Sequence, residues 1–293
     1  MNEVNLTDYM SSFAQFEPVR FVYDSSGGLG FTHKKLFTFS RITCDAFLTE
    51  SKTIMHTNDK STVDEIRARF DQDVERFSNL ETGQTTVPDS RQMWELVADT
   101  AAVLHPDATS MLDIGCGAGN GCLYLLQQVP NMDVTLVDLS LPMLDRAAHR
   151  VGEKMAGNIR TMQGDVRDLD LGVNQHDIII SGMALHHLRT EEQWQHVMHK
   201  VCQSLRSGGS FFLVDMFKFD EPSVQQLNWQ RYGQYLMIHN DQAFRDKVYD
   251  YVQKEDTPFS MPFVGGVMTN VGFESVEILH KKWFFAAIWA RKS

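Results

Sequence analysis

Met111-Leu112-Asp113-Ile114-Gly115-Cys116-Gly117-Ala118-Gly119 reads as a buried strand ending at an acid, then a glycine loop, then a helix from about Asn120. Glycines at alternate positions let the backbone turn sharply and let a ligand come close to it. The helix that follows points its unpaired amides at the loop, which favours an anionic or polar ligand group there. The dinucleotide fingerprint Gly-x-Gly-x-x-Gly fails in both possible frames. Counting from Gly115 its third glycine would be Asn120, and counting from Gly117 it would be Cys122. What remains, Asp-x-Gly-x-Gly-x-Gly, suits a ligand with a charged amino-acid end and no pyrophosphate.

Further along the chain, apolar strands end in acids. Val134-Thr135-Leu136-Val137-Asp138 places Asp138 at a strand tip. An acid about 20 residues beyond such a loop can hold both hydroxyls of a ribose. A third strand, 159–162, leads into Gln163-Gly164-Asp165-Val166, where an acid can accept from an exocyclic amine such as that of adenine. A fourth, Asp177 to Gly182, leads into Met183-Ala184-Leu185-His186-His187-Leu188, and a fifth runs from Ser210 to Asp215. Helices are expected between them. One spans about 61–77, with Val63, Ile66, Phe70, Val74 and Phe77 on one face. A second starts at Asp89 or Ser90, a third at Ser140 with Pro142 in its first turn, and a fourth at the capping box Thr190-Glu191-Glu192-Gln193. Alternating strands and helices argue for a parallel sheet covered on both faces.

These motifs resemble the class I S-adenosylmethionine (SAM)-dependent methyltransferases, from roughly Glu65 to the C-terminus. The loop matches the family's first motif, Asp138 its ribose acid, Asp165 its adenine-side acid, and Ser181 to Leu188 its fourth motif. The resemblance implies an α/β fold. It would be a Rossmann-like, seven-stranded, mostly parallel sheet with helices on both faces, an antiparallel last strand, and a helical lid between strands five and six. It implies SAM as cofactor, held by Asp113, Gly115, Cys116, Gly117, Asp138, Leu139, Asp165, Val166, Ser181 and Gly182. It implies a methyl transferred by direct displacement to a small molecule. Within the family, Arg69-Phe70-Asp71-Gln72-Asp73-Val74 and Gly272-Phe273 resemble the branch that contains the carboxy-SAM synthase of wobble-uridine modification. That synthase holds its extra carboxylate with a lid arginine. The comparable stretch Tyr235 to His239 contains none, so methyl transfer is the expected reaction. Carboxy-SAM synthesis, a tRNA-modifying role and a non-catalytic SAM-binding protein stand as alternatives.

His186 and His187 are the catalytic candidates. One could deprotonate or orient the acceptor, or both could shape the loop and cap the next helix. In the lid, 218–271, the candidates for substrate contact are Tyr232, Tyr235 and His239, against ordinary packing of the lid. Arg231 is the lid arginine that could meet a second carboxylate. Trp229 is expected in the lid's own core. Residues 1–54 lack a sustained period and are expected to be an extension outside the catalytic domain. The rival reading is a cover over the site, carried by Phe13, Phe16, Phe21 and Phe37. The domain itself would comprise 55–217 and 272–293.

Composition narrows partners and compartment. A net charge of −11 disfavours a grip on tRNA, which needs a basic surface. No apolar run spans a membrane and no signal-peptide pattern opens the chain, so a cytoplasmic protein is expected. A homodimer is compatible with this reading. Cys44, Cys116, Cys122 and Cys202 form no Cys-x-x-Cys and have no histidine cluster at zinc spacing, so neither a disulfide nor a metal site is expected.

Overall fold

The computed structural model describes residues 60–79, 85–154 and 157–293. The expectations for residues 1–54 lie outside the described residues. The described chain begins with α1 (Val63–Gln72) and α2 (Val74–Ser78), which break the expected single helix at Asp73. The capping box here belongs to α1: the Glu65 amide donates to Thr62 Oγ1, and the Thr62 amide donates to Glu65 Oε2. Next come α3 (Ser90–Leu104), β1 (Ser110–Ile114), α4 (Asn120–Gln128), β2 (Asp133–Asp138) and α5 (Leu141–Gly152). They are followed by β3 (Ile159–Gln163), β4 (His176–Gly182), a 3₁₀ turn (Leu185–His187), α6 (Glu191–Ser204) and β5 (Leu205–Met216). The chain ends with α7 (Pro222–His239), α8 (Gln242–Glu255), α9 (Met261–Val271), β6 (Phe273–Lys282) and β7 (Phe285–Lys292).

The strands form a seven-stranded sheet in the order β3-β2-β1-β4-β5-β7-β6. Strands β1 to β5 are parallel, and β7 runs antiparallel to both of its neighbours. Both faces of the central strands are buried, so their apolar residues divide by parity. Met111, Ile178, Ile180 and Phe212 join the core under α3, α4 and α5, while Leu112, Ile179, Phe211 and Leu213 join the core under α6 and α9. This is why the central strands read as continuous apolar runs.

Strand order reverses between β1 and β4, and this switch point opens a crevice at the carboxyl ends of the strands. The stretch expected to be one lid divides around that crevice. Helix α9 packs on α6 and β6 against one face of the sheet, through Val264, Val267 and Met268. Helices α7 and α8 stand at the crevice instead. They are held by Tyr249 Oη donating to the Trp229 carbonyl at 2.6 Å and by Tyr232 Oη donating to the Thr86 carbonyl at 2.8 Å. Trp229 lies 4.9 Å from the Tyr249 ring and 5.0 Å from the Phe284 ring, so it bonds the two helices to the start of the last strand. Among the described residues, no helix is long and apolar enough to cross a membrane.

Candidate functional site

A cavity of about 570 Å³ opens at the switch point, with the glycine loop as its floor. Gly115 and Gly117 have φ of +67° and +50°, a region that disfavours side chains. Space adds a second constraint at Gly115, where a Cβ would lie 2.3 Å from that of Ala184; at Gly117 nothing lies within 4 Å. The loop is fixed by its neighbours: Gly115 and Cys116 amides donate to the Val137 carbonyl at 2.8 and 3.0 Å.

Three acids meet in this cavity. Asp138 accepts from the Gly117 amide at 2.8 Å through Oδ2 and from the Ser140 amide at 2.9 Å through Oδ1. Asp113 is buried, and its Oδ2 has no hydrogen-bond partner. Burial, and then the charge of Asp138, push its carboxyl up to about 8. Asp165 also lines the cavity. It is paired with Arg167, with bonds of 2.9 Å to Nε and 2.5 Å to a terminal nitrogen. That pairing outweighs burial and holds the Asp165 carboxyl below its ordinary range. The cavity is also lined by Cys116, Leu139, Val166 and Gly182. Ser181 plays a different part: it is fully buried, and its Oγ donates to the Ile114 carbonyl at 2.9 Å, joining β4 to β1.

Opposite the loop, His186 and His187 both line the cavity. Asp215, at the end of β5, accepts from His186 Nδ1 at 2.5 Å and from the Leu185 and His186 amides at 3.0 and 3.2 Å. Asp256, just past α8, lies 3.4 Å from His186 Nε2 and 3.5 Å from His187 Nδ1. Burial disfavours charge on His186, but Asp215 and Asp256 outweigh it and raise the imidazole above its ordinary range. His187 moves the other way, lowered by burial and by the charge on His186. Sequence spacing could not reveal this group, because Asp256 meets the histidines only once α8 has folded over the crevice.

The candidates in α7 separate. Tyr232 lines the cavity, while the Tyr235 hydroxyl donates to the Thr85 carbonyl at 3.0 Å. His239 Nδ1 lies 2.9 Å from the Tyr235 carbonyl of its own helix, on an exposed turn. Arg231 is exposed as well, so the inward orientation considered for it is corrected: its helical phase turns it away while Tyr232 points in. The upper wall is instead aromatic, made by Phe70, Phe77, Tyr232, Phe244, Tyr251 and Phe285. Arg69 sits between two of these rings, 4.3 Å from the Phe70 centroid and 4.5 Å from that of Tyr251, and binds Glu255 through the Nε and Nη2 atoms of one guanidinium edge. The apolar period of α1 was visible in the sequence; its place in the wall was not.

A family model described as a methyltransferase domain matches residues 111–209, which run from the glycine loop through β4 to the turn inside β5. Residues 111–209 are thus matched as a methyltransferase domain, and the seven-stranded fold around them is one that methyltransferases share. Among curated relatives, a carboxy-S-adenosyl-L-methionine synthase of Aeromonas hydrophila is 23% identical over 219 residues, covering 72% of this chain and 85% of that protein. Among solved structures, human N-acetylserotonin methyltransferase in complex with SAM has a TM-score of 0.52 at 18% identity, over 78% of this chain and 56% of that one. An O-methyltransferase family protein of Burkholderia thailandensis also has a TM-score of 0.52, at 16% identity, over 79% of this chain and 60% of that one. These likenesses extend past the matched domain to the rest of the fold.

Proposed function

We propose that this chain is a SAM-dependent methyltransferase acting on a small, largely apolar acceptor held in the aromatic chamber above the glycine loop. The observation that carries this reading is the chamber itself. It is continuous with the loop, lined by seven aromatic side chains, and roofed by α7 and α8. A cavity of this size suits a small molecule beside the donor.

The donor's fit rests on the floor of the cavity. The partnerless Asp113 Oδ2 is a ready acceptor for an ammonium group, and the loop has no Cβ to keep a ligand from the backbone at Gly117. In this reading Asp113 takes the amino-acid end, Asp138 the ribose hydroxyls, and Asp165 the adenine edge with the oxygen capacity that Arg167 leaves free. SAM supplies a sulfonium-bound methyl, which a nucleophile displaces. The chain aligns the acceptor with it, and alignment of this kind is worth about 7–11 kcal/mol.

A screen of cell metabolites with methyl-labelled SAM tests the proposal. Label in a small aromatic or apolar product is the expected outcome. Label confined to RNA would overturn it, despite the acidic charge of the chain.

A second reading is carboxy-SAM synthesis, favoured by the curated relatives and by Arg189. This cavity guanidinium is held by the Ser61 main-chain carbonyl, whereas Arg69, Arg76 and Arg167 are each bonded to a carboxylate. Mass spectrometry of the ligand retained by protein purified from cells separates the two. SAM or its demethylated product fits methyl transfer, and carboxy-SAM fits synthesis.

A further inference from the structure

We propose that His186, His187 and Asp256 form a mononuclear divalent-metal site of the zinc class, with its open position turned to the cavity. Two imidazoles and one carboxylate are a ligand set of catalytic zinc sites, which keep a fourth position for water or substrate. One atom from each residue lies within 4.8 Å of the others. The two edges made by Asp256 are tighter than that bound. Asp256 Oδ1 stands 3.4 Å from His186 Nε2 and 3.5 Å from His187 Nδ1. With metal–ligand bonds of about 2.0–2.1 Å, the edge of a tetrahedron is about 3.3–3.4 Å. A charge-assisted hydrogen bond would instead bring these atoms to about 2.7–2.9 Å. The two Asp256 edges thus have the spacing of atoms sharing an ion between them.

The bonding around the cluster agrees. His186 Nε2, both ring nitrogens of His187 and both carboxylate oxygens of Asp256 are buried without a hydrogen-bond partner. Buried polar groups are ordinarily satisfied, so this concentration at one point calls for an occupant. The surroundings are also those of a metal ligand. His186 turns its other nitrogen to Asp215, which is fixed in turn by the Leu185, His186 and Met216 amides. A carboxylate behind a ligating histidine orients the ring and presents the opposite lone pair. The Thr257 amide donates to the His186 carbonyl at 2.8 Å, which ties Asp256 to the histidine turn. A divalent ion with two neutral imidazoles would balance the charges of Asp215 and Asp256.

The role of the ion rests on the methyl-transfer reading, although its binding does not. An acceptor hydroxyl or thiol in the open position would lose its proton to solvent on coordination. Its oxygen or sulfur would then form the bond to the methyl carbon as the carbon–sulfonium bond breaks and its electron pair stays on the donor sulfur. Lowering an acceptor's pKa in this way is what a Lewis acid does for bound water.

The test is a titration of chelator-stripped full-length protein with Co²⁺, followed by its visible d–d bands and by displacement with Zn²⁺, alongside SAM calorimetry on the same samples. One equivalent per chain with four-coordinate bands is expected. His187→Gln and Asp256→Asn should lose the bands while circular dichroism shows a folded chain. Asp215→Asn should weaken binding about 10–100-fold. Wild-type protein without bands, or His187→Gln protein that keeps them at one equivalent, overturns the proposal. Protein that binds Co²⁺ but not SAM would refute the methyl-transfer reading and leave the metal site standing; SAM binding without metal would do the reverse.

Discussion

The Arg69 guanidinium grips the Glu255 carboxylate with Nε at 2.9 Å and a terminal nitrogen at 2.7 Å, joining α1 to the end of α8 across 186 residues. Bidentate pairing of this kind fixes direction as well as distance. It places Asp256, the next residue, against the histidine turn, and it holds Phe70 and Tyr251 on either side of the chamber wall. One ion pair thus sets both the roof and the acceptor side of the site.

Arg69→Met should therefore do more than remove a surface charge. Glu255 is largely buried, and burial already raises its carboxyl against the pull of Arg69. Left without its partner, it should cost about 1.5–3 kcal/mol, the worth of hydrogen bonds to a charged group. Denaturant unfolding measures this directly. Arg69→Met/Glu255→Gln should recover part of the loss, because the orphaned charge is gone. A double variant no more stable than Arg69→Met would show that the pair is not what joins these elements.

SAM affinity should depend on pH through Asp113. Without ligand its carboxyl titrates at about 8, so it is mostly protonated at neutral pH. An ammonium beside it favours the ionised form, and binding must then release a proton. Affinity should climb by up to about tenfold per pH unit below 8 and level off above it. Asp113→Asn should flatten that slope and lower affinity at pH 8. The same shift has the opposite sign for folding. The folded carboxyl holds its proton while the unfolded one loses it near 3.8, so the ligand-free protein should lose stability as pH rises from about 4 to about 8. Calorimetry and thermal melts in matched buffers check both slopes, and a pH-independent Kd would remove Asp113 from the amino-acid end of the donor.

Asp138→Ala should weaken SAM binding in two ways. It removes charge-assisted bonds to the ribose, each worth roughly 1.5–3 kcal/mol. It also frees the Gly117 and Ser140 amides that the carboxylate now holds. Asp138→Asn keeps one acceptor oxygen and should fall between wild type and alanine. Equal affinity in all three proteins would sink the ribose assignment.

The fold was legible where the signal is local and periodic. The strand end at Asp138, the glycine loop, and the caps Ser140 and Thr190 all sit where periodicity and capping chemistry place them, while the first strand runs one residue past Asp113 to Ile114. Where chemistry allows two solutions, the sequence could not choose. Gln193 should have closed a capping box on Thr190, but its side chain accepts from the Arg189 amide one residue earlier. The floor of the site was legible because it belongs to one continuous motif. The acceptor side was not, because Arg69 comes from α1, Asp215 from β5, and Tyr251 and Asp256 from α8 and its C-cap. Arg231 and Tyr232 show the remaining limit. Adjacent helical residues point about 100° apart, and only packing decides which one faces the cavity.

The contact between Gly115 and Ala184 gives the most specific test of the loop. A Cβ at Gly115 would meet that of Ala184 at 2.3 Å, and both atoms are anchored to backbone, so neither can swing aside. Gly115→Ala should distort the loop and cut SAM affinity sharply. Two penalties are combined in that variant: the steric clash, and the cost of φ +67° for an alanine, about 1–2 kcal/mol. Ala184→Gly removes the first and not the second. The double variant Gly115→Ala/Ala184→Gly should therefore recover most of the lost affinity and remain about 1–2 kcal/mol less stable than Ala184→Gly alone. Gly117→Ala, which has no neighbour within 4 Å but a φ of +50°, should show the backbone penalty alone. Calorimetric Kd values and melting temperatures for the four variants complete the cycle. If the double variant is no better than Gly115→Ala, the clash with Ala184 is not what requires glycine at this position.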